Sequence, residues 1–124
     1  MVGSDVLDNS TEWLRAWFGA NPREIIYAGL FGSTIKETEF AGDIDLVVIV
    51  PASQDLEFWK GIQDWRSKLL REWYLENRAK LDLVILSLEE AREMNWFVNE
   101  LTSDRSFAIK GSLSAVSDRI DNAS

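Results

Sequence analysis

The sequence predicts an α+β domain, with α/β-like packing, in which helices cover a small mixed β-sheet of three to four strands. Three observations support this fold class. Short β-branched runs alternate with longer segments whose apolar residues recur every three or four positions. The run Asp43–Val50 is apolar on both faces after its two aspartates, as expected for a strand between two layers of helices. The length of 124 residues, without visible repeats or linkers, suits a single domain spanning 1–124.

The elements are predicted in the order helix, strand, strand, long helix, strand, helix. Residues 9–12 supply N-cap candidates for a first helix that ends near Gly19. Strands are indicated by β-branched or apolar runs bounded by turn residues, over 24–31, 43–50 and 81–86, with a short edge strand over 107–109. We expect the chain ends, 1–8 and 112–124, to be flexible.

The two later helices carry clearer signals. A long helix is predicted over 54–78, capped by Ser53 and buried along one stripe that contains Phe58, Ile62, Trp65, Leu69 and Trp73. Ser87 and Glu90 have the spacing of a capping box that opens the last helix. The inward side of that helix is predicted to consist of Ala91, Met94, Phe97, Val98 and Leu101. Trp59 and Trp96 lie off these inward faces and are the candidates for an exposed aromatic patch, whereas the other tryptophans belong to the core.

Composition excludes several kinds of chemistry. The chain has no cysteine and no histidine, so thiolate nucleophiles, histidine acid–base catalysis and cysteine- or histidine-bound metals are ruled out. Thirteen Lys and Arg stand against 21 Asp and Glu, a formal net charge of -8. An acidic surface disfavours non-specific nucleic-acid binding and anionic membranes. No apolar stretch is long enough to span a bilayer, and no secretory signal is visible, so we expect a cytoplasmic protein.

Three carboxylates stand where a buried strand would exclude them. Asp43 and Asp45 are two apart on one strand, so both side chains share a face, about 6.5 to 7 Å apart. Asp82 interrupts the apolar run of the third strand and joins them if that strand lies beside the second. A divalent cation such as Mg²⁺ would relieve the repulsion among these groups. The alternatives are that the aspartates are solvated or cap a turn, or that Asp82 pairs with Lys80.

A glycine–serine junction follows the first strand. Gly32 and Ser33 precede a predicted short helix, Thr34 to Glu39. Glycine allows the backbone to approach a ligand closely, and the amides at the start of a helix bind phosphate. The alternative is an ordinary strand-to-helix turn. The spacing is neither that of a Walker loop nor that of a dinucleotide-binding fingerprint.

Taken together, these motifs resemble the DNA polymerase beta-like nucleotidyltransferase superfamily, and most closely its minimal nucleotidyltransferase domains. The resemblance rests on Phe31-Gly32-Ser33, nine intervening residues, Asp43-Ile44-Asp45-Leu46, and Asp82 in a later strand. It covers roughly 25–87 and implies the nucleotidyltransferase fold. The sequence departs from the family in its run after Ser33, where only Lys36 offers a positive charge, and in having Gly42 where Ser is often found.

The resemblance also implies an activity and a set of roles. It implies transfer of a nucleoside monophosphate from a nucleoside triphosphate, expected to be ATP, to a hydroxyl acceptor. Gly32, Ser33 and Lys36 would hold the triphosphate, while Asp43, Asp45 and Asp82 would bind two Mg²⁺ or Mn²⁺ ions. Asp82 would also assist deprotonation of the acceptor.

The family offers a second, non-catalytic role as well. Minimal nucleotidyltransferase domains frequently pair with a helical protein of the HEPN type or self-associate. The alternative to catalysis is therefore an inactive, antitoxin-like or regulatory module of a toxin–antitoxin pair. A third alternative is a plain acidic domain in which Asp43, Asp45 and Asp82 lie far apart.

Overall fold

A computed structural model of the chain describes residues 2–32, 43–77, 80–101 and 107–122, and for residues 2–8, 43, 121 and 122 it describes the backbone alone. Within these ranges the chain forms five α-helices and four β-strands. The helices are α1 (Val2–Ala20), α2 (Leu56–Asn77), α3 (Leu88–Glu93), α4 (Asn95–Asn99) and α5 (Leu113–Asn122). The strands are β1 (Tyr27–Leu30), β2 (Asp43–Val50), β3 (Lys80–Ser87) and β4 (Ala108–Gly111).

The four strands form one mixed sheet in the order β3-β2-β1-β4. Strand β1 is antiparallel to both β2 and β4, whereas β2 and β3 are parallel. The long helix α2 connects the two parallel strands, as a crossover between parallel neighbours requires. The predicted α+β class with a small mixed sheet is therefore confirmed, and β4 is the short edge strand that the sequence indicated.

Helices cover both faces of the sheet. On the first face, α1 and α2 pack on side chains that alternate along the strands, among them Leu30, Leu46 and Val48. On the second face, α3, α4 and α5 pack on the opposite set, among them Tyr27, Val47 and Ile49. All six residues from Ile44 to Val50 other than Asp45 are buried, which confirms that β2 is enclosed from both sides.

Helix α2 matches its predicted position within two residues. Four residues of the predicted stripe, Ile62, Trp65, Leu69 and Trp73, are buried, and Phe58 is half-buried. The N-cap differs from the prediction, since Asp55 Oδ1 accepts the Glu57 amide at 3.0 Å and so caps the helix. Ser53 lies before the cap and accepts the Asp55 amide at 3.1 Å.

Three other boundaries differ. Helix α1 begins at Val2, and Ser10 and Thr11, expected as caps, are buried within it. Strand β1 is shorter than predicted, although single hydrogen bonds to β2 continue on both sides of it, from the Ile26 and Phe31 amides. The last predicted helix is divided into α3 and α4 at Met94, whose φ of -99° and ψ of 42° leave the helical region.

The capping box of α3 is present as predicted. Ser87 Oγ accepts the Glu90 amide and Glu90 Oε1 accepts the Ser87 amide, both at 3.1 Å. This reciprocal pair fixes the point at which β3 turns into α3. Separately, among the described residues no helix is both long and apolar enough to cross a membrane.

Candidate active site

Two of the predicted carboxylates are brought side by side by the strand register. In the parallel pair of β2 and β3, Asp45 lies directly opposite Asp82. Neighbouring strands are about 4.8 Å apart, so the two side chains start from adjacent backbone positions. Residues that flank Asp45, namely Ile44 and Leu46, belong to the first face, so Asp45 and Asp82 belong to the second. They lie at the end of the sheet where β2 begins and β1 ends.

Asp43 belongs to the same row of the strand. It stands two positions before Asp45, on the same side of the pleat, and its register partner on β3 is Lys80. Its side chain lies outside the described part of the structure. The backbone places Asp43 at the first position of β2, at the same end of the sheet as Asp45 and Asp82. That all three carboxylates converge stays a prediction.

The glycine predicted to hold a triphosphate lies against Asp45. Gly32 adopts a φ of +64°, in the left-handed region that favours glycine. A Cβ atom built on Gly32 would lie 2.9 Å from Asp45 Oδ2, so a side chain there would require the Asp45 carboxylate to shift. The preceding amide, that of Phe31, donates to the Asp45 carbonyl at 3.0 Å. The chain thus leaves β1 directly beside the β2 carboxylate, at a turn whose positive φ favours glycine. Ser33, Lys36 and the predicted helix Thr34 to Glu39 lie outside the described residues.

Asp82 has the alternative partner that its sequence neighbours suggested. Lys80 Nζ lies 3.3 Å from Asp82 Oδ1, and the two side chains are 71% and 42% exposed. Exposed ion pairs contribute only about 0–1 kcal/mol to stability, since solvent screens them. Lys80 therefore neutralises the Asp82 carboxylate in part, and another cation could replace the Lys80 ammonium group at little cost in stability.

The donor chemistry of this strand end suits a hard cation. Among the side chains that the structure describes, no group of three Asp or Glu is close enough to hold a metal ion. The Asp43 carboxylate does not belong to these described side chains. Asp45 and Asp82 supply oxygen ligands from adjacent strands, and carboxylate oxygen is the donor that Mg²⁺ prefers. In donor type these two carboxylates are compatible with a divalent cation, and a third ligand from Asp43 stays a prediction.

Three aromatic side chains form a row that begins at Phe31, beside Gly32, and the sequence pattern did not predict this row. Phe31, one residue before Gly32, contacts Phe97 edge-to-face with ring centroids 5.3 Å apart, and Phe97 contacts Trp96 at 6.0 Å. Trp96 is 63% exposed. The sequence did indicate Trp96 as exposed, whereas Trp59 is half-buried because its indole nitrogen donates to the Ser53 carbonyl at 2.8 Å. Through Phe97, the exposed indole of Trp96 is connected to Phe31, the residue that precedes Gly32.

Tyr27 packs in the core of the second face, opposite Ile49 in the strand register. Its side chain is 2% exposed and lies over Gly29, whose missing Cβ makes room for the phenol. Burial raises the pKa of the Tyr27 hydroxyl above its ordinary value, because the phenolate would lose its hydration. The hydroxyl therefore stays neutral over the physiological range.

Replacement of Gly32 by alanine tests how closely the turn must approach Asp45. We expect Gly32→Ala to lower the free energy of unfolding by about 1–2 kcal/mol, because alanine is strained at positive φ. We also expect it to weaken Mn²⁺ binding, since the new methyl group displaces the Asp45 carboxylate. Gly19→Ala, at a glycine near the end of α1 with nothing within 4 Å of its Cβ position, is the matched control. It should leave Mn²⁺ affinity unchanged and raise the free energy of unfolding by up to about 1 kcal/mol, because alanine favours a helix. Equal Mn²⁺ affinity in both variants would show that the turn does not shape the site.

Comparison with known proteins adds one structural likeness. No protein-family model and no curated protein matches the sequence. A solved structure described as "Crystal structure of the toxin-antitoxin with AMP-PNP" is 18% identical, with a TM-score of 0.49, and the match covers 91% of this chain and 85% of that one. A likeness at this level carries neither family nor function to the present chain.

Proposed function

We propose that the chain is a metal-dependent nucleotidyltransferase, which moves a nucleoside monophosphate from a nucleoside triphosphate to a hydroxyl group. The proposal is supported above all by one arrangement, in which Asp45 and Asp82 stand in register on one face while Gly32 approaches Asp45 in a left-handed conformation. Carboxylates from two strands beside a glycine turn are what the motif resemblance requires. Neither histidine nor cysteine is needed for this chemistry.

Asp43, Asp45 and Asp82 are the residues that would hold Mg²⁺ or Mn²⁺ in this proposal, two ions by the family resemblance. Bound divalent cations would neutralise the charge of the triphosphate and stabilise the attacking and leaving oxygens. The chain itself has a formal net charge of -8, so without cations it would repel a triphosphate. This explains why an acidic domain would depend on metal for substrate binding.

The chain's own groups have distinct tasks in the proposed transfer. The oxygen of the acceptor hydroxyl forms a bond to the α-phosphorus, the bond from that phosphorus to the bridging oxygen breaks, and pyrophosphate leaves. Asp82, which is 42% exposed at the strand edge, accepts the proton of the acceptor hydroxyl. Gly32 leaves room for the phosphates beside Asp45, and by the resemblance Ser33 and Lys36 contact them.

A thermal-melt titration tests the proposal without knowledge of the acceptor. A ligand that binds only the folded state stabilises it by about 2.7 kcal/mol at a hundredfold excess over its dissociation constant. For a domain of this size that corresponds to a rise in Tm on the order of 10 °C. We expect this rise with ATP or another triphosphate together with Mg²⁺ or Mn²⁺, and no comparable rise with the triphosphate in EDTA. A Tm that no combination of metal and triphosphate raises would contradict the proposal.

A second candidate function is a catalytically inactive partner module, such as the antitoxin-like half of a complex. The ion pair between Lys80 and Asp82 favours this inactive module, because the Lys80 ammonium group already occupies one of the proposed metal ligands. The exposed Trp96 also favours it, as an aromatic group available to a partner. This candidate requires partner binding that is insensitive to loss of the Asp45 carboxylate, and no turnover of any triphosphate.

A further inference from the structure

Lys80 is a basic residue that the strand register brings to the candidate active site. It occupies the first position of β3, two residues before Asp82, so the two side chains lie on the same side of the pleat. Its register partner on β2 is Asp43, and the next pair on that side of the ladder is Asp45 with Asp82. A positive charge therefore stands beside the aspartates at this end of the second face.

The sequence around the glycine turn offers little positive charge to a triphosphate. In the run 34–37, which follows Gly32 and Ser33, Lys36 is the one basic residue. The whole chain has a formal net charge of -8, which repels a polyanion that approaches the domain. A second ammonium group close to the bound phosphates would offset part of this repulsion. Lys80 supplies that group from a different strand, 44 positions after Lys36 in the chain.

The contact between Lys80 and Asp82 is one that Lys80 can leave. Its Nζ lies 3.3 Å from Asp82 Oδ1, and its side chain is largely exposed to solvent. Lysine carries a compact charge on a flexible stem, so the ammonium group can change its partner without any movement of the backbone. A divalent cation bound to Asp82 would repel the ammonium group, because both are positively charged. Binding of metal to Asp82 would therefore release Lys80 from this carboxylate.

A released Lys80 ammonium group would lie close to the phosphates of a bound triphosphate. Two neighbouring oxygen ligands of one Mg²⁺ ion, each about 2.1 Å from the metal, are about 3 Å apart. A phosphate oxygen that shares a cation with Asp82 would therefore lie about 3 Å from this carboxylate. Lys80 Nζ lies 3.3 Å from the same carboxylate, so rotation of the lysine side chain alone would bring it to the phosphate. Lysine binds phosphate readily, as a point charge with three hydrogen-bond donors.

We propose that Lys80 is a substrate-binding residue, which pairs with Asp82 in the free protein and contacts the triphosphate once metal and substrate bind. The inference rests on the proposed nucleotidyl transfer and adds to it a residue to which the motif resemblance assigns no role. It predicts two effects of opposite sign when Lys80 is removed. Metal alone binds more tightly, because no ammonium group competes for Asp82. The triphosphate binds more weakly, because one contact to phosphate is lost.

The test compares Lys80→Met with the unmodified full chain in 0.15 M NaCl. Electron paramagnetic resonance measures the affinity for Mn²⁺ alone, and calorimetry measures the affinity for α,β-methylene-ATP, which cannot transfer its AMP, in saturating Mn²⁺. We expect Lys80→Met to bind Mn²⁺ about two- to fivefold more tightly. We expect it to bind the analogue about tenfold more weakly, because one charge-assisted hydrogen bond is lost. Inorganic tripolyphosphate should show the same loss, since Lys80 contacts phosphate and not the base.

Two further variants separate a direct contact from a general effect of charge. Lys60→Met removes an exposed lysine from the start of α2, which follows the end of β2, whereas the candidate site lies where β2 begins. The eight residues of β2 extend over about 26 Å, well beyond the Debye length of about 8 Å, so Lys60→Met should leave both affinities unchanged. Lys80→Arg keeps a cation that binds phosphate, so it should restore the affinity for the analogue to within about threefold. A melting curve for each variant confirms that it is folded.

Three results would overturn the inference. If the unmodified chain binds both Mn²⁺ and the analogue, and Lys80→Met binds them as Lys60→Met does, then Lys80 does not contact the phosphates and the proposed transfer is unaffected. If Lys80→Met binds both ligands more weakly, then Lys80 supports the structure of the site and does not compete with metal. If the unmodified chain binds neither ligand, the proposed function itself is contradicted, and the role of Lys80 is lost with it.

Discussion

Replacement of Asp45 by asparagine is expected to abolish metal-dependent nucleotide binding while leaving the domain folded. The substitution keeps the size of the side chain but removes the charge that stands beside Asp82 and against Gly32. Mutation of a residue that only hydrogen-bonds to a metal ligand typically lowers metal affinity about 10- to 100-fold. Loss of a ligand itself should therefore weaken Mn²⁺ binding by at least about 100-fold. Free Mn²⁺, measured by electron paramagnetic resonance with and without ATP, gives this affinity directly.

Asp64→Asn provides the matched control for Asp45→Asn. Asp64 is an exposed aspartate on α2, outside the candidate site, so the same change of charge should leave Mn²⁺ affinity unaltered. Transfer of label from α-³²P-ATP should follow the same pattern once an acceptor is known. If Asp45→Asn binds Mn²⁺ and ATP as tightly as Asp64→Asn, the carboxylate does not hold a metal, and the inactive partner module becomes the better account.

The largest effect on stability is expected for Trp73→Ala. Trp73 is 1% exposed at the centre of the first-face core and contacts Trp13 edge-to-face. Removal of a buried tryptophan side chain typically costs about 3–5 kcal/mol, through lost burial and the cavity that remains. That is a large part of the roughly 5–15 kcal/mol by which small domains are stable. Urea unfolding followed by circular dichroism measures the loss.

Two further tryptophan variants show whether burial is the cause. Trp96→Ala removes the same side chain from a position that is 63% exposed, so it should change stability by no more than about 0.5 kcal/mol. Trp73→Phe keeps an aromatic ring but removes the indole Nε1, which is buried and has no hydrogen-bond partner among the described residues, so it should cost much less than Trp73→Ala. Similar losses for Trp73→Ala and Trp96→Ala would show that packing on the first face contributes little.

Sequence periodicity was sufficient to predict the helices and strands that are long or uniformly apolar. The run from Asp43 to Val50 is a strand with those bounds, because β-branched residues favour it and Pro51 follows it. The stripe of α2 was predictable because its apolar residues repeat at helical spacing over about four turns. The capping box at Ser87 was predictable because both of its hydrogen bonds form within four residues.

Two helix boundaries could not be predicted from local sequence signals. The division between α3 and α4 occurs at Met94, where the sequence contains neither glycine nor proline, so the helical pattern appeared continuous. The start of α1 was placed too late because Ser10 and Thr11 are good caps, although in the folded chain they are buried inside the helix. In both cases packing against the sheet overrides the local preference.

For the candidate site, the sequence by itself determined which groups are present: three aspartates on apolar strands, a glycine–serine junction, and no histidine or cysteine. These follow from composition and from the two-residue period of a strand, which are local properties. Only the tertiary structure decided that β2 and β3 are parallel neighbours with Asp45 opposite Asp82, and that Gly32 lies against Asp45. Such relations join segments far apart in the chain, and they are set by how the helices and strands pack together, which no local pattern of residues encodes.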